Sequence, residues 1–133
     1  MRAEVEGIYP GLDMLGDGMP KAGPTELGPP HGRFIVGYEN GLAVCCGAIK
    51  RLQPLICEFK RMYVVPEARG RGVGRLLLGE LERRARALGY RSARLDTDAR
   101  QVAAVHLYES AGFVPIANYN ANPAATYFGE KRL

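Results

Sequence analysis

Seven consecutive residues, Arg69-Gly70-Arg71-Gly72-Val73-Gly74-Arg75, combine the side-chain types and spacing that bind an anion. The apolar periodicity that follows, from Leu76 to Leu88, is that of an amphipathic helix. The first N–H groups of a helix have no intrahelical partner, and the helix dipole makes that end mildly positive. A glycine-rich turn there accepts phosphate or pyrophosphate, and Arg69, Arg71 and Arg75 add charged donors. The commoner nucleotide loops do not fit. A P-loop needs Lys-Ser or Lys-Thr after its second glycine, and no such pair follows. In a dinucleotide fingerprint Arg75 stands where the third glycine belongs, and Asp96 comes late for a ribose contact. An RG-rich nucleic-acid tail is disordered, whereas this turn lies between a strand and a helix.

The elements that position the turn are legible on both sides. Phe34 to Tyr38, Glu39-Asn40-Gly41 and Leu42 to Arg51 read as a β-hairpin with an Asn-Gly turn. Gln53-Pro54 turns the chain again, and Ile56 to Val65 makes a third strand before Pro66. In the helix after the turn, Val73, Leu76, Leu77, Leu81 and Leu88 share a face, while Arg75, Glu82, Arg83 and Arg86 point outward. Glu80–Arg84 and Glu82–Arg86 are i,i+4 pairs, and Gly89 sits at a helix C-cap position. Ser92 to Thr97 is a fourth strand, and Gln101 to Ala111 a second helix closed by Gly112. Phe113 to Ile116 and Tyr127 to Lys131 are short final strands around the polar loop Asn118-Tyr119-Asn120. The order β-β-β-α-β-α-β-β predicts an α/β fold, an α+β mixed sheet with helices packed on it.

With 133 residues, 47% of them hydrophobic and 24% charged, the chain reads as one globular domain over 1–133. Residues 1–32 form a Gly/Pro-rich segment, with a short helix over Arg2 to Tyr9 and then loop, and residues 33–133 form the core. No apolar run approaches the ~20 residues that span a bilayer, and no signal peptide opens the chain. The expectation is a cytoplasmic protein with no membrane partner. Cys45, Cys46 and Cys57 lack metal-site or disulfide spacing and read as small buried hydrophobes; no metal is expected. The net charge of +4 divides into −3 over residues 1–32 and +7 over residues 50–100. The basic half suits an anionic partner, with a polyphosphate cofactor favoured over nucleic acid, and a homodimer fits the same reading.

Here the chain resembles the GNAT superfamily of N-acetyltransferases. The family's signature R/Q-x-x-G-x-G/A matches at Arg69, Gly72 and Gly74, preceded by Val64-Val65-Pro66. A second signature, A-x-x-L-Y-x-x-x-G-F, matches at Ala104, Leu107, Tyr108, Gly112 and Phe113. The resemblance covers roughly Arg33 to Leu133. It implies a single-domain GNAT fold whose fourth and fifth strands splay apart around the pantetheine arm of acetyl-CoA, the co-substrate. The backbone of Met62, Tyr63 and Val64 would pair with that arm, and the amides of Gly70, Arg71, Gly72, Val73, Gly74 and Arg75 would hold the pyrophosphate. Arg71 and Arg75 would add charge there or stand as solvated helix-start arginines. Relatives begin with a strand and a longer helix, for which too little chain precedes Arg33, implying a truncated or rearranged N-terminal part. Gln101 occupies the place of a cofactor-bonding Asn.

The activity so implied is acetyl transfer to a primary amine of a small molecule or peptide, by direct attack in a ternary complex. A lysine-like amine must lose a proton first, at a cost of roughly 4.6 kcal/mol at pH 7. The resemblance makes Tyr108 the acid that serves the departing CoA thiolate; a core aromatic beside Val105 and Ala111 is the alternative. It makes Glu58, eleven residues before Arg69, the base; an ion pair with Lys60 or Lys50 is the alternative. Strand alternation places Glu58, Lys60 and Met62 on one face and Phe59, Arg61 and Tyr63 on the other. Tyr119 and Tyr127 are candidates to line an acceptor pocket, His106 reads as surface and His31 as part of a loop. The rival function is a catalytically silent acyl-CoA-binding sensor module.

Overall fold

The structure, a computed structural model, describes residues 12–16 and 28–133. The helix expected over Arg2 to Tyr9 lies outside the described residues. Part of the segment read as loop is instead a strand, β1 (Leu12–Gly16), paired antiparallel with β2 (Arg33–Glu39). The open edge of β2 supplies its hydrogen bonds, a long-range partner that no local periodicity announces.

β2 and β3 (Leu42–Gln53) make the expected hairpin, and Asn40 and Gly41, with φ of 52° and 80°, form its tight turn. β4 (Ile56–Val64) follows antiparallel to β3, and a short 3-10 turn at Pro66–Ala68 leads to α1 (Val73–Ala87). Then come β5 (Ser92–Thr97), α2 (Val102–Ser110), β6 (Val114–Pro115) and β7 (Tyr127–Arg132). Among the described residues the sheet has seven strands in the order β1-β2-β3-β4-β5-β7-β6, with β4 and β5 parallel. This is the expected mixed α/β architecture with one strand added at its start.

The main core lies under α1. Leu77, Leu78, Leu81 and Ala85 pack on Cys45, Ile49, Cys57, Phe59 and Leu95 of the sheet. Each fully buried leucine contributes roughly 1.5–3 kcal/mol. The apolar stripe differs from the one-sided helix that periodicity implied. Leu78 is fully buried, Leu76 and Leu88 are only partly so, and Glu82, expected to point outward, is 6% exposed. Lys131 of β7 lies 2.8 Å from the Glu82 carboxylate and Arg86 lies 3.5 Å from it, so the buried carboxylate is paired. The paired charge lets α1 be flanked on a side that a solvated face would have left open.

A bulge in β4 decides what faces the helices. Cys46 pairs with Tyr63 and Ala48 with Lys60, so Gly47 alone stands opposite Arg61 and Met62. Arg61 takes φ 55°, a left-handed conformation that costs a residue with a side chain roughly 1–2 kcal/mol. The extra residue shifts the alternation. Met62 therefore joins Phe59 on the helical face, where a Cβ on Gly47 would meet Leu81, Leu77 and Met62. Glu58 and Lys60 stay on the opposite face, so the expected grouping of Met62 with them fails at the bulge.

Candidate active site

The parallel ladder between β4 and β5 ends at Glu58↔Arg94. Beyond it β4 continues against β3 as far as Val64, while β5 continues against β7 as far as Thr97. The facing edges of Phe59–Val64 and Leu95–Thr97 are thus without a ladder partner among the described residues. An extended amide-bearing chain can pair with such an edge as an added strand. A cavity of about 580 Å³ opens there. Met62, Tyr63 and Val64 line its β4 side, with Arg69, Gly70, Gly72, Val73 and Gly74 at one end. Gln101 and Tyr108 of the second helical segment complete the predicted residues that border it.

The turn end of the cavity has the character of an anion cradle. Gly72 is the N-cap of α1 at φ 84°, with no side-chain cap. The first α1 bond from this region is Leu76 N–H to Gly72 C=O at 3.1 Å, which leaves the Val73, Gly74 and Arg75 amides without helical partners. Replacing Gly72 by Val forces a β-branched residue into the left-handed region, where it is a genuine outlier. A strain of roughly 1–2 kcal/mol moves the cradle, so CoA affinity measured by calorimetry is expected to fall about tenfold or more. Unchanged affinity would dissociate the turn from the ligand.

The three arginines of the turn divide. Arg69 donates from Nε to the Val64 carbonyl at 2.9 Å and lies over the Tyr63 ring at 5.5 Å, tying the turn to the end of β4. Arg71 pairs with Glu39 at 3.1 Å, and Arg75 donates to Ser110 Oγ at 2.6 Å, bracing the start of α1 against the end of α2. The side chains of Arg71 and Arg75 are engaged away from the cavity lining.

Tyr108 is placed by the way α2 ends. Gly112 follows the C-cap at φ 108°, Phe113 N–H bonds to the Tyr108 carbonyl at 3.0 Å, and Gly112 N–H bonds to the Glu109 carbonyl at 3.1 Å. This is a Schellman motif, and its accompanying apolar contact is the edge-on packing of Phe113 against Tyr108 at 6.1 Å. The spacing L-Y-x-x-x-G-F therefore has a physical meaning: the glycine and phenylalanine hold the tyrosine ring. Tyr108 is 8% exposed, and its hydroxyl points to Met62 Sδ at 3.9 Å. Burial, and then the charge of Asp96, raise its pKa above the ordinary phenol value of 10.

A second, smaller cavity of about 170 Å³ shares Met62, Thr97 and Tyr108 with the first and adds Lys60, Arg61 and Asp96. Tyr108 thus lines both. Glu58 lines neither cavity. It is 2% exposed, accepting from Tyr119 Oη at 2.5 Å and Asn120 Nδ2 at 3.0 Å, with Lys60 Nζ at 3.4 Å. The same Asn120 amide donates to Asp96, which also accepts from Asn122 at 3.3 Å. Burial first, then the bond to Glu58 and the Glu58 and Asp96 charges, push the Tyr119 phenol far above its ordinary range, with Arg94 opposing. Tyr119 and Tyr127 border neither cavity; Tyr127 donates to Glu109 at 3.4 Å. His106 is exposed and His31 lies in a turn, as expected.

Sequence reasoning missed Asp96, which lines the smaller cavity, and Asn120, whose amide joins it to Glu58. Alternation on β5 sets Asp96 opposite buried Leu95, but only the parting of β4 from β5 turns it toward Tyr108. The cysteines stand apart from this chemistry. Burial pushes the Cys45 and Cys57 thiols up to about 12, and raises that of Cys46 as well. A thiolate is the reactive form, so a disulfide reagent at pH 8 is expected to label Cys46 slowly and the other two only after unfolding.

Parallel strands parted over an uncapped helix end define the class of an acyl-CoA N-acyltransferase fold. The acetyltransferase (GNAT) domain model matches residues 30–115. An uncharacterised N-acetyltransferase of Schizosaccharomyces pombe is 44% identical over 100 residues, spanning 74% of this chain and 61% of that protein. An IAA acetyltransferase of Azospirillum brasilense is 38% identical over 111 residues, spanning 80% of this chain and 72% of that one. The crystal structure of a GNAT family acetyltransferase from Elizabethkingia anophelis, with acetyl-CoA bound, superposes with a TM-score of 0.73 at 16% identity, covering 92% of this chain and 99% of that one. That last likeness is one of fold. The chain belongs to the GNAT acetyltransferase family.

Proposed function

We propose that this protein transfers the acetyl group of acetyl-CoA to a primary amine of a small molecule or peptide, by direct attack in a ternary complex. The observation that carries this reading is that Tyr108 lines both cavities. The larger, with its cradle of free amides and unpaired β4 edge, suits a long phosphorylated thioester, and the smaller suits an acceptor. Acetyl-CoA supplies an activated acyl carbon; the chain's residues orient it and manage the protons. Met62, Tyr63 and Val64 pair with the pantetheine arm, the amides of Gly70 to Arg75 hold the pyrophosphate, and Gln101 bonds from the rim. A free N–H on the β4 edge polarises the thioester carbonyl.

As the amine nitrogen bonds to the acyl carbon and the C–S bond breaks, Tyr108 donates to the departing sulfur. Its raised pKa keeps the phenol protonated at every physiological pH. Glu58 accepts the amine's proton. Being walled off by Tyr119, Asn120 and Lys60, it does so through a water rather than by contact. Direct attack is favoured because Cys45 and Cys57 are buried in the core and no cysteine borders either cavity. The deciding experiment is release of free CoA from acetyl-CoA across an amine library. Turnover with at least one amine is expected. Tight CoA binding with no transfer to any amine would instead identify a cofactor sensor.

A further inference from the structure

We infer that the smaller cavity takes the head group of a zwitterionic acceptor, a free α-amino acid whose carboxylate is held by Arg61 while its nitrogen lies against Asp96 and Tyr108. This deepens the transferase reading and rests on it for the identity of the nitrogen as the acetylated atom.

Size is the first argument. A cavity of about 170 Å³ corresponds to roughly six waters at about 30 Å³ each. It admits a head group and lets the remainder of the molecule leave through the opening. Charge is the second. Two cations, Lys60 and Arg61, and one carboxylate, Asp96, border the space. Lys60 is already committed to Glu58 at 3.4 Å. Arg61 is exposed and has no carboxylate partner among the described residues. A guanidinium offers a planar fork that matches a carboxylate.

Asp96 fixes the other end. Both of its amide partners, Asn120 and Asn122, donate to Oδ2, and its Oδ1 accepts no hydrogen bond among the described residues. Oδ1 is therefore free to accept from an ammonium or amine N–H. The two ends lie on opposite strands of the splay, Arg61 and Lys60 on β4 and Asp96 on β5, and Tyr108 borders the same cavity. A molecule that bridges them presents its nitrogen on the Tyr108 side. A diamine would bring a second cation against Arg61 and Lys60, and a neutral amine would displace water from them with nothing in return. The β4 bulge is what makes the arrangement: without the extra residue at φ 55° the side chains after Lys60 would keep the opposite faces.

The test pairs two readouts. The twenty amino acids and their carboxamides, with putrescine as a diamine, are assayed singly for CoA release and for calorimetric binding to the CoA-saturated protein. At least one amino acid is expected to exceed its own carboxamide by tenfold or more in kcat/KM and in affinity. Arg61→Asn, a residue that tolerates the left-handed conformation, is expected to bring that ratio to about one, while Arg61→Lys, which keeps the charge without the planar fork, retains part of it. Carboxamides or putrescine handled as well as the acids would overturn the inference and leave the transferase reading intact. Preferential binding of the acid without transfer of any amine would sustain the inference about the cavity and defeat the transferase reading. Absence of both binding and transfer would defeat both.

Discussion

Tyr108→Phe is expected to lower kcat about 100-fold, with KM for acetyl-CoA changed no more than a few-fold. A positioned proton donor contributes roughly 10²–10⁴ in rate, and the ring itself, which packs against Phe113 and borders both cavities, remains in the variant. The fold is expected to tolerate the change. The hydroxyl's contact is the weak one to Met62 Sδ at 3.9 Å, so removing it costs less than about 1 kcal/mol. The pH profile adds a signature. An acid works only while protonated, and burial raises the Tyr108 pKa, so the wild-type high-pH limb begins above pH 10. Between pH 6 and 9 wild-type activity should therefore rise with pH as the amine loses its proton. CoA release measured over that range checks both points; full activity in the variant would remove Tyr108 from the chemistry.

Glu58→Gln should reduce kcat/KM about 100-fold near pH 7, and the deficit should shrink as pH approaches the amine's own pKa, about 10.4 for a lysine-like acceptor. The sign follows from the role. A base is needed only while the amine arrives protonated, so supplying neutral amine by raising pH replaces it. A structural role predicts otherwise. Glutamine keeps an oxygen for Tyr119 but turns an amide toward a network of donors, Asn120 and Lys60 among them. An unsatisfied buried group costs roughly 1–3 kcal/mol, which lowers Tm at every pH alike. A deficit in rate that is independent of pH and follows the loss in Tm would make Glu58 a brace for the Asn118–Asn122 loop instead of the base.

The two motifs are legible in the sequence for physical reasons. Gly72 occupies the left-handed N-cap of α1, and Gly112 with Phe113 closes α2 so as to seat Tyr108. Both are local rules, because a helix end is completed by residues within a turn of it. The hairpin at Asn40-Gly41 and the strand Ser92–Thr97 were readable likewise. What escaped depended on distant partners. Strand β1 exists because β2 offers an edge, Glu82 is buried because Lys131 reaches it, and Met62 changes faces because Gly47 meets two residues of β4.

The sequence by itself determined the glycine-rich turn at the start of α1, the seat of Tyr108 and the membership of the family, since each rests on short-range backbone chemistry. Only the tertiary structure decided how the polar groups are shared around the splay. It locked Glu58 behind Tyr119 and Asn120, and it turned Asp96, Lys60 and Arg61 into the small cavity beside Tyr108. Such placement follows from where one strand stops pairing with another, and strand pairing joins residues nearly forty positions apart, as Glu58 and Arg94 show. No local pattern encodes that point of separation.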